Sequence, residues 1–212
     1  DPASNAKEFS HSLRSVMSQL RGMIRGKGTL EITPVAHFGK KMIDAQPDEA
    51  KELGCEPDLD AYLGGAENPT PNADTPFRTA SGHIHVGLWK PGEEPDNHLE
   101  VACALARQMD LYLGVPMLLA EPDNKRRELY GKAGAFRLKP YGIEYRVLSN
   151  YWLTSAARME WAFKSTYSAV NNMVNNQQTH SQSRARAAIN SNLTDTAKLL
   201  MHRHRETIIE VP

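Results

Sequence analysis

Cysteine is nearly missing from this chain of 212 residues, and the two present, Cys55 and Cys103, stand far apart with no second thiol at metal-type spacing. That excludes a disulfide framework and a zinc ribbon, and leaves two plain buried thiols in a reducing compartment as the expectation. Net charge is missing too: 25 Lys and Arg balance 25 Asp and Glu, so no protein-wide field draws in nucleic acid or an acidic membrane. Any anion site must therefore be local. No apolar run approaches the roughly 18 residues of a membrane span, no signal-like segment precedes the first helical pattern, and a cytoplasmic protein without membrane or nucleic-acid partners is expected. The Gly-x-x-x-x-Gly-Lys-Ser/Thr phosphate loop is absent, and no internal repeat is found.

What the chain does contain is a pair of strand-like runs with chemistry on one face. In Gly82-His83-Ile84-His85-Val86-Gly87 the period-two alternation of a strand sends His83 and His85 one way and Ile84 and Val86 the other. Residues 142–148 repeat the device, with Glu144 and Arg146 on one face and Ile143, Tyr145 and Val147 on the opposite one. If the two runs share a sheet, one surface carries His, His, Glu and Arg over an apolar core. A carboxylate among imidazoles suits a divalent metal, and a guanidinium beside them suits a phosphate oxygen. Ionisable groups on a central strand are costly unless paired or ion-bound. The plain alternative is an edge sheet with these groups facing water.

Around these runs the pattern is that of an α+β chain. Residues 5–25 carry Phe9, Leu13, Val16, Leu20 and Met23 at helical spacing, and residues 29–34 read as a strand with Leu30 and Ile32 opposite Glu31 and Thr33. A helical piece over 38–53 is broken at Pro47. Residues 54–76, rich in Gly, Pro, Asn and Asp, read as a long ordered loop of the kind used as a lid or binding segment. Turn formation is the default role there for Asp58, Asp60 and Asp74. Arg78 stands at the lip of the histidine strand. In residues 98–113, Val101, Leu105, Met109 and Tyr112 mark a core helix on the apolar face of the sheet, with Ala102, Ala104 and Ala106 allowing close approach. Five cations interleave with glycines in residues 124–137. Lys125 and Arg126 read as a solvated face, while Lys132 and Arg137, tied to Gly131 and Gly134, read as phosphate contacts. A long helix then reaches about residue 176, with Ala156, Met159, Phe163, Tyr167, Val170 and Val174 as its stripe. After a polar break over 175–183, a last helix begins near Thr194 and Asp195. The division expected is residues 1–178 as one α+β domain and 179–212 as a C-terminal helical extension.

A His-x-His strand also occurs in amidohydrolases and cupins, but too little chain remains for the barrel of the first and too few strands for the second. Three runs together, Arg78-Thr79-Ala80-Ser81-Gly82-His83-Ile84-His85-Val86-Gly87, Tyr130-Gly131-Lys132-Ala133-Gly134-Ala135-Phe136-Arg137, and Gly142-Ile143-Glu144-Tyr145-Arg146-Val147-Leu148-Ser149-Asn150-Tyr151-Trp152-Leu153, resemble the phage-encoded COOH-NH2 ligases of type 2. Gly54-Cys55-Glu56-Pro57-Asp58 also fits that family's loop. The resemblance implies a glutamine synthetase-like curved antiparallel sheet with helices on one face, forming a funnel for ATP and Mg2+ or Mn2+. It implies phosphorylation of a carboxylate and displacement of the phosphate by an amine, giving an amide or peptide bond. Residue by residue, it makes His83 and Glu144 metal ligands and Arg146 and Arg137 the catalytic contacts to transferring phosphate or substrate. Lys132, Arg78 and His85 become nucleotide contacts. The partners implied are small carboxylate and amine substrates, in the host cytoplasm if the chain is phage-encoded. Related enzymes draw further metal-binding carboxylates from a strand before the first helix, where this chain begins. The expectation is that a longer polypeptide, a second copy or a partner chain completes the metal site. Two other readings stay open: a non-catalytic or virion-associated binding protein on the same fold, and a His-x-His metallohydrolase.

Overall fold

Asn5 accepts the amide of Glu8 at 2.9 Å while the Glu8 carboxylate takes the amide of Ser4 at 2.9 Å, and this reciprocal cap starts helix α1, Ala6–Met23. The computed structural model describes residues 2–53, 56–72, 74–121, 125–175, 177 and 180–212. After α1 come strand β1 (Val35–His37), helices α2 (Lys40–Asp44) and α3 (Asp48–Lys51), and strands β2 (Leu59–Asp60), β3 (Ala66–Glu67), β4 (Phe77–Thr79) and β5 (Ile84–Gly87). Helix α4 (His98–Met109) runs through one π turn, Asp110–Gly114, into α5 (Val115–Ala120). Strands β6 (Ala135–Lys139) and β7 (Gly142–Tyr145) form a hairpin. Helices α6 (Ala156–Val174), α7 (Gln182–Asn190) and α8 (Thr194–Arg203) complete the chain.

The main sheet has the order β3-β2-β6-β7-β5, with every neighbouring pair antiparallel. It is open, with β3 and β5 as its edges. Its apolar face carries Ile84, Val86, Phe136, Ile143 and Tyr145, all buried, and packs against the fully buried Leu105, Ala106 and Met109 of α4. Each such side chain contributes roughly 1.5–3 kcal/mol on burial. Helices thus cover one face and leave the other for polar groups. Gly142 makes the close β5–β7 pairing possible: its φ is +148°, and a Cβ there would lie 2.1 Å from the carbonyl oxygen of Val86.

The helical layer follows the sequence pattern with four differences, the first being α7, which forms over Gln182–Asn190 where no helix is expected. Pro116 offers no amide to the turn before it, and the α4–α5 junction widens into the π turn. The stripe of α6 is rotated from the one expected. Met159, Ala162, Ser165 and Ala169 are buried, whereas Tyr167 is 65% exposed and Val174 67%, because α6 packs against α1 and α4 at once. On α1 the seam is covered only in part: Phe9 meets the rings of Trp152 and Phe163, while Val16, Leu20 and Met23 remain exposed. Helices α7 and α8 pack on α5 and the π turn. Their Ala188, Ile189, Ala197 and Leu200 join the same core as the sheet.

Two expectations on the N-terminal half are corrected. Residues 29–34 form no strand. The carbonyl of Thr33 accepts the Asn150 side chain at 3.0 Å instead of a ladder partner, and pairing starts only beyond Pro34, where β1 meets β4 in a separate two-stranded sheet. Residues 54–76 are more than loop, since β2 and β3 add two strands to the main sheet. Asp60 turns the chain between them by accepting the amide of Tyr62 at 2.7 Å. Cys103 is buried, as expected; Cys55 and Gly54 lie outside the described residues. Among the described residues no helix is long and apolar enough to cross a membrane.

Candidate functional site

The register across the three last strands of the sheet assembles the polar face. His85 lies opposite Glu144, and Glu144 opposite Arg137, so the three form one row across β5, β7 and β6. One step further, His83 precedes β5 and Arg146 follows β7, held by the Arg146 amide on the Ala135 carbonyl at 2.9 Å. Period-two alternation puts Lys139 in phase with Arg137 on β6. The row therefore has an imidazole on one side of a single carboxylate and a guanidinium on the other.

Glu144 is the centre of this cluster. Its Oε1 lies 2.8 Å from Nδ1 of His83 and accepts from Nη1 of Arg146, and its Oε2 lies 3.1 Å from Nζ of Lys139. Burial pushes its carboxyl up, but the Lys139 and Arg146 hydrogen bonds and the charge of Arg146 outweigh that and hold it at about 2. His83 moves the other way: burial, aided by the charge of Arg146, outweighs the pull of Glu144 and lowers its imidazole to about 4. Its Nδ1 is also 3.0 Å from Nη1 of Arg146, and its Nε2 is buried with no hydrogen-bond partner among the described residues. The ring is thus neutral near pH 7.

Asp58, just before β2, closes the cluster from the side. Its Oδ1 is 2.6 Å from Nε of Arg146 and 3.5 Å from Nε of Arg137. Burial raises its carboxyl above the ordinary range despite the two guanidiniums. Arg137 also reaches the Glu56 carboxylate at 3.9 Å. The Nδ1 of exposed His85 is 2.7 Å from the hydroxyl of Tyr141 in the β6–β7 turn. Lys132 is exposed at the edge of a neighbouring cavity of about 370 Å³ whose lining includes Glu56, Asp58 and Glu67.

Of the residues singled out from sequence, the sheet brings together His83, Glu144, Arg146 and Arg137 in direct contact or through Asp58. His85 sits in the same row. Lys132 is joined to them only through the cavity wall it shares with Asp58. Arg78 is elsewhere: it lies on β4 of the small sheet, and its Nη1 donates to the carbonyls of Thr75 and Phe77 at 3.1 and 2.9 Å. The divalent ion assigned to His83 and Glu144 does not fit the arrangement. Both Glu144 oxygens are engaged by basic side chains, whereas Mg2+ takes about six oxygen ligands in near-octahedral geometry. Among the described residues no group of three or more His, Cys, Asp or Glu is placed to hold a metal.

Three participants were not read from sequence. Asp58 falls in a stretch whose Asp residues read as turn formers, Lys139 carries only its phase with Arg137 as a signal, and Arg126 stands in a cation-rich run that reads as a solvated face. Arg126 is 4% exposed. Its Nη1 donates to the Val147 carbonyl at 2.8 Å, and its Nη2 to Ser81 Oγ at 2.6 Å and the Arg146 carbonyl at 3.1 Å. It therefore fixes the backbone at Arg146 and the approach to His83. Gly131 makes room for it, since at φ +83° a Cβ would fall 1.7 Å from Nη1 of Arg126.

A family model described as phage phiEco32-like COOH.NH2 ligase-type 2 matches residues 59–210, a span that includes the whole polar row and both C-terminal helices. No curated protein matches this chain, and no solved structure does.

Proposed function

The chain belongs to the COOH-NH2 ligase type 2 family, and from that membership we propose that it is an ATP-dependent ligase joining a carboxylate to an amine through an acyl phosphate on a glutamine synthetase-like sheet. The observation that carries this reading is the convergence of Arg146, Arg137 and Lys139 around Glu144 and His83 on the face of the sheet opposite the α4 core. Phosphoryl transfer requires positioning and neutralisation of charge more than covalent help from the protein, and preorganised guanidinium and ammonium groups supply both. In the first step a carboxylate oxygen bonds to the terminal phosphorus and ADP leaves with the electrons of the broken P–O bond. In the second, the amine nitrogen bonds to the acyl carbon, inorganic phosphate departs, and the amine loses a proton.

On this reading Arg146 and Arg137 bind the transferring phosphoryl group and the substrate carboxylate. Glu144 and Asp58 hold the two guanidiniums in place, and His85 meets the nucleotide from the open edge strand. Mg2+ or Mn2+ enters with the nucleotide phosphates, since the described residues build no cage for it. Small carboxylate and amine substrates in the host cytoplasm, and a second copy or partner chain at the site, complete the proposal.

A second reading, a binding protein that keeps the fold without turnover, is favoured by the engagement of both Glu144 oxygens. Incubation of the chain with ATP, Mg2+ and pairs of small acids and amines separates the two. The ligase reading expects ADP release that depends on the amine, with an amide product of matching mass, and loss of both in Arg146→Gln. Nucleotide binding with no ADP release across the panel supports the binding protein. Absence of any nucleotide binding overturns the ligase reading.

A further inference from the structure

The sheet face gathers Arg137, Lys139 and Arg146 around Glu144, with Asp58 against both guanidiniums and Glu56 against that of Arg137. The cavity of about 370 Å³ beside it shares Glu56 and Asp58 with the face and adds Glu67 and Lys132. It therefore offers one further carboxylate and one ammonium that the face does not use. A small molecule bearing an ammonium group is drawn to it, and the one lysine gives a carboxylate on the same molecule a partner. We propose that this cavity is the binding site of the amine substrate, and that the amine is an amino acid carrying a free carboxylate. This rests on the ligase reading above and names its second substrate.

Size and placement agree with that assignment. The volume lies in the range of about 300–1,000 Å³ typical of small-molecule sites. Leu53, Leu129, Ala135, Pro69 and Pro71 give it an apolar lining. Neither Lys132 nor Glu67 makes an ion pair among the described residues, so both are available to a ligand. Asp58 belongs to both places: it lines the cavity and touches Arg146 and Arg137. An ammonium held on the Asp58 side therefore stands beside the groups assigned to the acyl phosphate, which is the juxtaposition a bimolecular ligation needs.

The test is saturation-transfer NMR on the full chain without nucleotide, using the standard L-amino acids one at a time. For any that binds, its amide and its deaminated acid follow, to remove each pole separately. The expected result is binding of at least one amino acid, weaker binding of both truncated forms, and a loss of roughly tenfold in affinity in Glu67→Gln and in Lys132→Gln. The Kd for Mg·ADP should remain unchanged in Glu67→Gln. No amino acid binding to a chain that does bind Mg·ADP overturns the proposal. So does a rise in the Mg·ADP Kd in Lys132→Gln with amino-acid binding untouched, which makes the cavity a phosphate site. Amino-acid binding that responds to both variants without ADP release in the turnover assay upholds the cavity and sinks the ligase reading. Turnover with an unchanged KM for the amine in Glu67→Gln does the reverse.

Discussion

Glu144→Gln tests the cluster on which the functional reading depends. The substitution keeps the shape of the side chain and removes the charge that meets Arg146, Lys139 and His83. The Lys139 pair is partly open to solvent, with 26% of the lysine side chain exposed, and such pairs contribute about 0.2–1 kcal/mol. The Arg146 pair is nearly dry at 11% and 6% exposure, and breaking a buried pair costs about 3–5 kcal/mol when the remaining charge has no other partner. Here Asp58 still serves Arg146, so a net loss of roughly 2–4 kcal/mol is expected at neutral pH. For a chain of this size that is a fall in Tm of roughly 4–16 °C.

The loss should depend on pH in a defined direction. The carboxyl titrates at about 2 in the folded chain against an ordinary 4.5. Its stabilisation is therefore fully present above 4.5 and is lost as pH falls towards 2. Urea and thermal unfolding of both proteins at pH 7 and pH 3 reads this out. The gap between them should be full at pH 7 and clearly smaller at pH 3. A variant with an unchanged Tm at pH 7, or a gap that widens on acidification, would mean that solvent screens the cluster and that Glu144 organises nothing.

His83 gives a second pH signature. Its imidazole titrates at about 4 when folded against an ordinary 6.5, so it adds stability above 6.5 that fades as pH drops towards 4. His83→Gln should flatten the unfolding profile of the wild type across that window, and a profile as steep as before refutes the buried neutral ring. Gly131→Ala should displace Arg126 and loosen the backbone at Arg146. A destabilisation of about 2 kcal/mol or more is expected from the strained φ and the lost buried hydrogen bonds together, and chemical denaturation showing a change below about 0.5 kcal/mol would refute that clamp.

Periodicity alone determined the α+β class, α1, the α4 core helix, and the opposite facing of His85 and Glu144 from Ile84, Val86, Ile143 and Tyr145, because alternation and helical spacing are local properties of a chain. The same rule predicted a strand at residues 29–34 and misplaced the stripe of α6, where the outcome depends on what lies alongside. That Glu144 stands between His85 and Arg137 was decided by strand register, which joins the β6–β7 hairpin to a strand far earlier in the chain. Arg126 and Asp58 were misjudged for a related reason. A charge in a polar stretch has the same sequence signature whether it ends in water or is drawn inward, and only the carbonyls of Arg146 and Val147 and the guanidinium of Arg146, brought close by folding, make burial the lower free energy for these two.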